Sequence, residues 1–140
     1  MTNLSQITNL KVLLVEDDIH ITKMYTKFLM NAGAEVLHAS DGAQALELLA
    51  LNTVDVLLMD LGMPGLNGYD TLQNVRKNKH TQALPVIILS NTTIDERHGW
   101  YKELHAMGIS GVYRKYETPL RELSEIISKA LLRDSLSTNS

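Results

Sequence analysis

Residues 54–60 read Val-Asp-Val-Leu-Leu-Met-Asp, and this stretch decides the fold. It is about strand length, carries β-branched residues and is nearly unbroken in its apolar character. Apolar residues at consecutive rather than alternate positions predict a strand covered on both faces, as in a parallel sheet. Val12-Leu13-Leu14-Val15 and Val86-Ile87-Ile88-Leu89 repeat the pattern. Two more polar stretches, 34–39 (AEVLHA) and 111–115 (GVYRK), suit the edges of the same sheet.

Helical periodicity fills the intervals. Ile21, Met24, Tyr25 and Phe28 follow the i, i+3, i+4, i+7 rule, with Asp18 placed as an N-cap. Asp41 three residues before Gln44 resembles a capping box for a helix through Leu51. Tyr69, Leu72 and Val75 mark a third helix from near Asn67, and Trp100, Leu104 and Met107 a fourth that ends at Gly108. In the fifth, Thr118 caps, Pro119 takes the first helical position, and Leu120, Leu123 and Ile127 form the buried stripe. Five strands alternating with five helices predict an α/β fold, a doubly wound five-stranded parallel sheet with helices on both faces. In such sheets ligands gather beyond the carboxyl ends of the strands.

The first strand ends in Glu16-Asp17-Asp18, the third in Asp60, the fourth in Ser90 and the fifth in Lys115. A parallel sheet brings all of these to one rim. Carboxylates gathered there repel one another and call for a cation. Oxygen ligands without cysteine or histidine beside them point to Mg²⁺ or a similar hard ion. A carboxylate nucleophile, a metal, a lysine and a hydroxyl together describe a site that receives a phosphoryl group.

With Val15-Glu16-Asp17-Asp18, Asp60-Leu61-Gly62-Met63-Pro64-Gly65-Leu66-Asn67-Gly68, Leu89-Ser90 and Lys115 in place, the chain resembles the response-regulator receiver domains of two-component signalling, in a single-domain form. The spacings of 43 residues from Asp17 to Asp60 and 30 from Asp60 to Ser90 fit that pattern. The resemblance covers roughly residues 11–132. It implies a flavodoxin-like strand order of 2-1-3-4-5. It also implies that Asp60 is the phosphoacceptor, that Asp17 binds Mg²⁺ directly and Glu16 through water, and that the Gly62 carbonyl completes the protein's share of the coordination. Ser90 is then the switch hydroxyl, Lys115 a second phosphoryl contact, and Asp18 a helix cap rather than a ligand. Gly62 and Thr92 fall where the family tunes phosphoryl lifetime. The donor implied by the resemblance is a sensor histidine kinase or a histidine phosphotransfer protein. The output it implies is altered binding of a downstream protein through the face made by the fourth helix, fifth strand and fifth helix. The resemblance further implies that the protein assists its own phosphorylation and dephosphorylation without being an enzyme in the ordinary sense. The alternative is a pseudo-receiver, a binding module that works without phosphorylation. A hydrolase with an aspartyl-phosphate intermediate would want a second acid two residues after Asp60, where Gly62 stands.

The sequence departs from the family in three places. Tyr116 follows Lys115 where proline in a cis peptide is usual; a non-proline cis bond costs about 2.5–4 kcal/mol, which predicts a trans bond and a rerouted loop. Val112 occupies the switch position of the family's aromatic, and Tyr113 beside it points to the opposite face of the strand. The segment from Asn91 to Gly108 is about three residues longer than is typical, which marks the partner-facing surface as unusual.

Composition narrows the rest. The 140 residues suit one domain, expected as a receiver over 11–133 between a flexible start (1–10) and tail (134–140), with no output domain attached. The net charge of −3 without a basic cluster argues against direct nucleic-acid binding. No apolar run approaches the roughly 18 residues of a membrane span, and a cytoplasmic location is expected. Zero cysteines exclude disulfides and thiolate sites. The five histidines have no ligand spacing and read as surface residues, and Arg76, Lys77 and Lys79 as a solvated helix end.

Overall fold

The computed structural model describes residues 7–61, 68–91, 101–115 and 117–138. Five strands, β1 (Lys11–Val15), β2 (Glu35–Ala39), β3 (Val56–Asp60), β4 (Val86–Ser90) and β5 (Gly111–Arg114), alternate with α1 (Ile19–Asn31), α2 (Gly42–Leu51), α3 (Gly68–Lys77), α4 (Tyr101–Ala106) and α5 (Leu123–Thr138). The strands form one parallel sheet in the order β2-β1-β3-β4-β5. The order places the two more polar strands at the edges, as expected, and makes β1, β3 and β4 the buried centre.

The unbroken apolar runs are explained by two cores on either side of the sheet. Val12, Leu14, Val56, Leu58, Ile87 and Leu89 face α1 and α5 through Ile21, Tyr25, Leu29, Leu123 and Ile127. The alternate residues Leu13, Val15, Leu57, Met59, Val86 and Ile88 face Ala45 and Leu49 of α2, Leu72 and Val75 of α3, and Leu104 of α4. Every residue of β3 and β4 is buried, so neither face of these strands tolerates a polar side chain until the carboxyl end is reached. Each fully buried leucine or isoleucine contributes about 1.5–3 kcal/mol relative to exposure. Among the described residues no helix is long and apolar enough to cross a membrane.

Local signals behave as their chemistry requires. Asp18 caps α1, its Oδ1 accepting from the backbone N–H groups of His20 (2.8 Å) and Ile21 (3.1 Å). Asp41 Oδ1 accepts from the Gln44 N–H at 2.9 Å, and the Gln44 side chain returns the bond one residue earlier than a capping box would, to the Ser40 N–H at 2.8 Å. The fifth helix starts later than its sequence implies. Pro119 sits in extended backbone (φ −60°, ψ 141°), a 3-10 turn covers Leu120–Glu122, and α5 begins at Leu123. Thr118 is therefore not its cap. Ile7 is fully buried in the core, and the Asn9 N–H donates to the Gly33 carbonyl at 2.8 Å. At the other end α5 continues as helix to Thr138.

Candidate functional site

Four strand ends build the site. The register aligns Val15 with Met59 and Met59 with Ile88, so Glu16, one residue past β1, comes beside Asp60, the last residue of β3. On the other side Ser90 pairs with Arg114, and the Lys115 N–H donates to the Ser90 carbonyl at 2.9 Å, extending the pairing one residue beyond β5. The Lys115 ammonium then reaches across the strand ends. Its Nζ lies 2.7 Å from Glu16 Oε1 and 2.9 Å from Asp60 Oδ2. Glu16, Asp60, Ser90 and Lys115 are all buried, while Asp17 is exposed. Carboxylate oxygens of Glu16, Asp17 and Asp60 lie within 4.8 Å of one another.

The electrostatics follow from this crowding. Burial pushes the Glu16 carboxyl up to about 7; the hydrogen bond from Lys115 opposes the rise and the neighbouring Asp60 adds to it. For Lys115, burial favours the neutral amine, but hydrogen bonds to Glu16 and Asp60 outweigh it and hold the ammonium above its ordinary range. One lysine thus serves two buried acids, with a third acid at the mouth. The excess is negative and its donors are hard oxygens, a set that suits Mg²⁺. Asp18 stands apart: the Ile21 N–H and then the His20 N–H hold its carboxyl below the usual range, as expected of a helix cap.

A buried aspartate at the end of the central strand of a 2-1-3-4-5 sheet, flanked by acids from β1 and by a lysine just past β5, has close counterparts. The family model described as response regulator receiver domain matches residues 12–119. The chain belongs to the response regulator receiver domain family. A probable transcriptional regulator, ycf29, from Pyropia yezoensis is 35% identical over 90% of this chain and 55% of its own length. Protein PilH of Pseudomonas aeruginosa is 32% identical over 84% of this chain and 98% of its own. The receiver spans about half or less of the first curated relatives it matches, 55%, 38% and 33% of their lengths. Among solved structures, a putative response regulator from Chloroflexus aurantiacus superposes with a TM-score of 0.79 at 28% identity, covering 90% of this chain and 100% of that one. The receiver domain of a Pseudomonas aeruginosa sensor histidine kinase, with magnesium coordinated in its active-site cleft, gives 0.76 at 25% identity, covering 89% and 98%.

The receiver brings Glu16, Asp17, Asp60 and Lys115 together and places Ser90 at the end of the neighbouring strand, on the rim where the sequence puts them. Gly62, Thr92 and Tyr116, with the loop geometry expected after Lys115, lie outside the described residues. Val112 packs into the core on the α2–α3–α4 side, whereas Tyr113 packs on the α1–α5 side, so the two do face opposite ways. Gly68 acquires a physical reason: a Cβ there would lie 2.7 Å from Leu61 Cδ2 and 3.0 Å from Leu61 Cα. Only glycine lets the start of α3 pack directly on the residue that follows Asp60.

Two side chains carry more than the sequence indicated. Arg76 is not a solvated helix end. Its Nε donates to the Met107 carbonyl at 2.6 Å, Nη1 to Thr81 (3.2 Å) and Leu84 (2.8 Å), and Nη2 to Gly108 (3.3 Å). One guanidinium thereby ties the end of α4 to the connection between α3 and β4. The ring of His38 on β2 comes within 2.8 Å of the Glu16 carbonyl. Neither role had a signal in spacing or periodicity, because both partners are backbone carbonyls distant in sequence.

Proposed function

We propose that this receiver accepts a phosphoryl group on Asp60 from the phosphohistidine of a sensor histidine kinase or a histidine phosphotransfer protein. The observation that carries this reading is the buried Asp60 held 2.9 Å from the Lys115 ammonium, with Glu16 and Asp17 within 4.8 Å. A carboxylate oxygen of Asp60 attacks phosphorus, the O–P bond forms and the donor's P–N bond breaks. The bonding pair returns to the imidazole, which takes a proton. Lys115 neutralises a phosphoryl oxygen as charge moves onto the aspartyl phosphate, and the Ser90 hydroxyl donates to another. Glu16, Asp17 and Asp60 would hold Mg²⁺, which supplies further neutralisation of the phosphoryl oxygens; the magnesium in the cleft of the Pseudomonas receiver supports this assignment.

The protein does not turn over a separate substrate in this reading; it promotes only the gain and loss of its own phosphoryl group. The consequence is altered binding of a downstream protein through the face of α4, β5 and α5. Val112 stands at the switch position, packed on the same side of the sheet as Leu104 of α4. Because phosphohistidine donors are charged from ATP, the reading also puts the protein in the cytoplasm. Incubation with acetyl phosphate and Mg²⁺ followed by intact-mass measurement tests it. The mass should rise by one phosphoryl group, and Asp60→Asn should abolish the gain. A gain that survives Asp60→Asn refutes the assignment, and no gain in the wild type favours the pseudo-receiver.

A further inference from the structure

Asp17 is the exposed member of the acidic trio, yet its backbone is held on both sides. The Glu16 N–H pairs with the Ala39 carbonyl at 3.0 Å, which closes the β1–β2 ladder. Beyond that bond the Glu16 carbonyl is met by a side chain, His38 Nε2 at 2.8 Å. The same nitrogen lies 3.3 Å from Thr22 Oγ1. The buried Thr22 hydroxyl gives its own proton to the Asp18 carbonyl at 2.8 Å. A carbonyl oxygen can only accept, so Nε2 carries the ring proton. Thr22 has spent its proton on Asp18, so its lone pair faces the same N–H. The carbonyls before and after Asp17 are therefore both tied to one His38–Thr22 pair. The Asp17 N–H is tied as well, to Glu16 Oε2 at 3.0 Å.

We propose that His38 is a positioning residue for the divalent-cation site, its Nε2–H fixing the Glu16–Asp17 peptide so that Asp17 meets the cation in a set geometry. This rests on the phosphoacceptor reading given above. Mg²⁺ demands near-ideal octahedral coordination, so a ligand presented from a loop gains most from a backbone that does not have to be ordered on binding. His38 is not one of the carboxylates that would hold the cation, and acts through the backbone that carries Asp17. Its exposed place on an edge strand leaves room for substitution without opening the core.

The test is Mg²⁺ titration by calorimetry at fixed pH on the wild type, His38→Phe and His38→Gln, each first shown by urea denaturation in EDTA to be folded. His38→Phe keeps a planar ring and removes the donor, and should weaken Mg²⁺ binding by about tenfold or more. His38→Gln supplies an amide N–H of similar reach and should stay within about threefold of the wild type, the difference that a merely space-filling role would not produce. In the metal-free proteins, the Asp17 amide should exchange with solvent faster in His38→Phe than in His38→Gln. Should His38→Phe itself unfold, Thr22→Val removes the tie to Asp18 and should weaken Mg²⁺ binding in the same direction. Equal affinity of His38→Phe and wild type, or equal loss in His38→Phe and His38→Gln, overturns the proposal while leaving the phosphoacceptor reading intact. A wild type that binds no Mg²⁺ overturns both.

Discussion

Replacing Lys115 by methionine removes the cation from between two buried acids while keeping much of the side chain's volume. The two contacts, 2.7 Å to Glu16 and 2.9 Å to Asp60, each correspond to about 6 kcal/mol of direct attraction at an effective dielectric near 20. Most of that attraction offsets the cost of taking three charges out of water. What remains measurable is the penalty of leaving acids buried without a partner, about 3–5 kcal/mol. For a domain of this size the loss equals a fall in Tm of about 10–20 °C. The penalty must depend on pH. Glu16 in the wild type already holds its proton up to about 7, so at pH 5.5 it is neutral and loses no ion pair, whereas at pH 8 it does. Without the Lys115 ammonium, which opposes the rise, the Glu16 carboxyl moves higher still, so the folded variant binds more protons than the folded wild type across this interval and its stability deficit shrinks on acidification. Urea denaturation of wild type and Lys115→Met in EDTA at pH 8 and pH 5.5 measures both deficits. Millimolar Mg²⁺ at pH 8 should narrow the gap by restoring positive charge. A deficit under about 1 kcal/mol at pH 8, or one equal at the two pH values, would refute the electrostatic account and make Lys115 a packing residue.

Other consequences follow from the same geometry. Glu16 must be ionised to help bind a cation, so Mg²⁺ affinity should fall about tenfold per pH unit below 7 and level off above it, which calorimetry across pH 5.5–8 checks. In the metal-free protein the raised Glu16 carboxyl means that its contribution to stability is highest below 4.5 and is lost as pH rises towards 7, so EDTA-treated protein should melt progressively lower over that range. Arg76→Met removes a guanidinium from four carbonyls and should cost about 2–4 kcal/mol in urea denaturation; a cost near zero would restore the solvated-end reading. Gly68→Ala forces a methyl against the Leu61 backbone and should cost about 1–3 kcal/mol and slow phosphorylation by acetyl phosphate, whereas an unchanged rate and melting point would show that α3 can move away freely.

Much of this molecule was legible without coordinates. The apolar runs at 12–15, 54–59 and 86–89 identified the three central strands because a strand buried on both faces has no other place for its side chains. Parallel pairing then obliged Glu16, Asp60, Ser90 and Lys115 to share one rim, and the structure brings Glu16, Asp60 and Lys115 into contact. Asp18 and Asp41 were readable as caps because a cap acts within three residues of itself. The start of α5 was not, since Pro119 can open a helix or stand just before one with the same φ.

What the amino-acid order determined by itself was periodicity, strand assignment and the acids at the strand ends, all properties of neighbours in the chain. Tertiary structure alone decided which carbonyls Arg76 and His38 would meet, that Ile7 would fill the core rather than fray, and that Lys115 would be shared between Glu16 and Asp60. The physical reason is that long polar side chains find backbone partners brought near by packing. Arg76 and Met107 are 31 residues apart, His38 and Glu16 are 22, and only the folded sheet makes them adjacent.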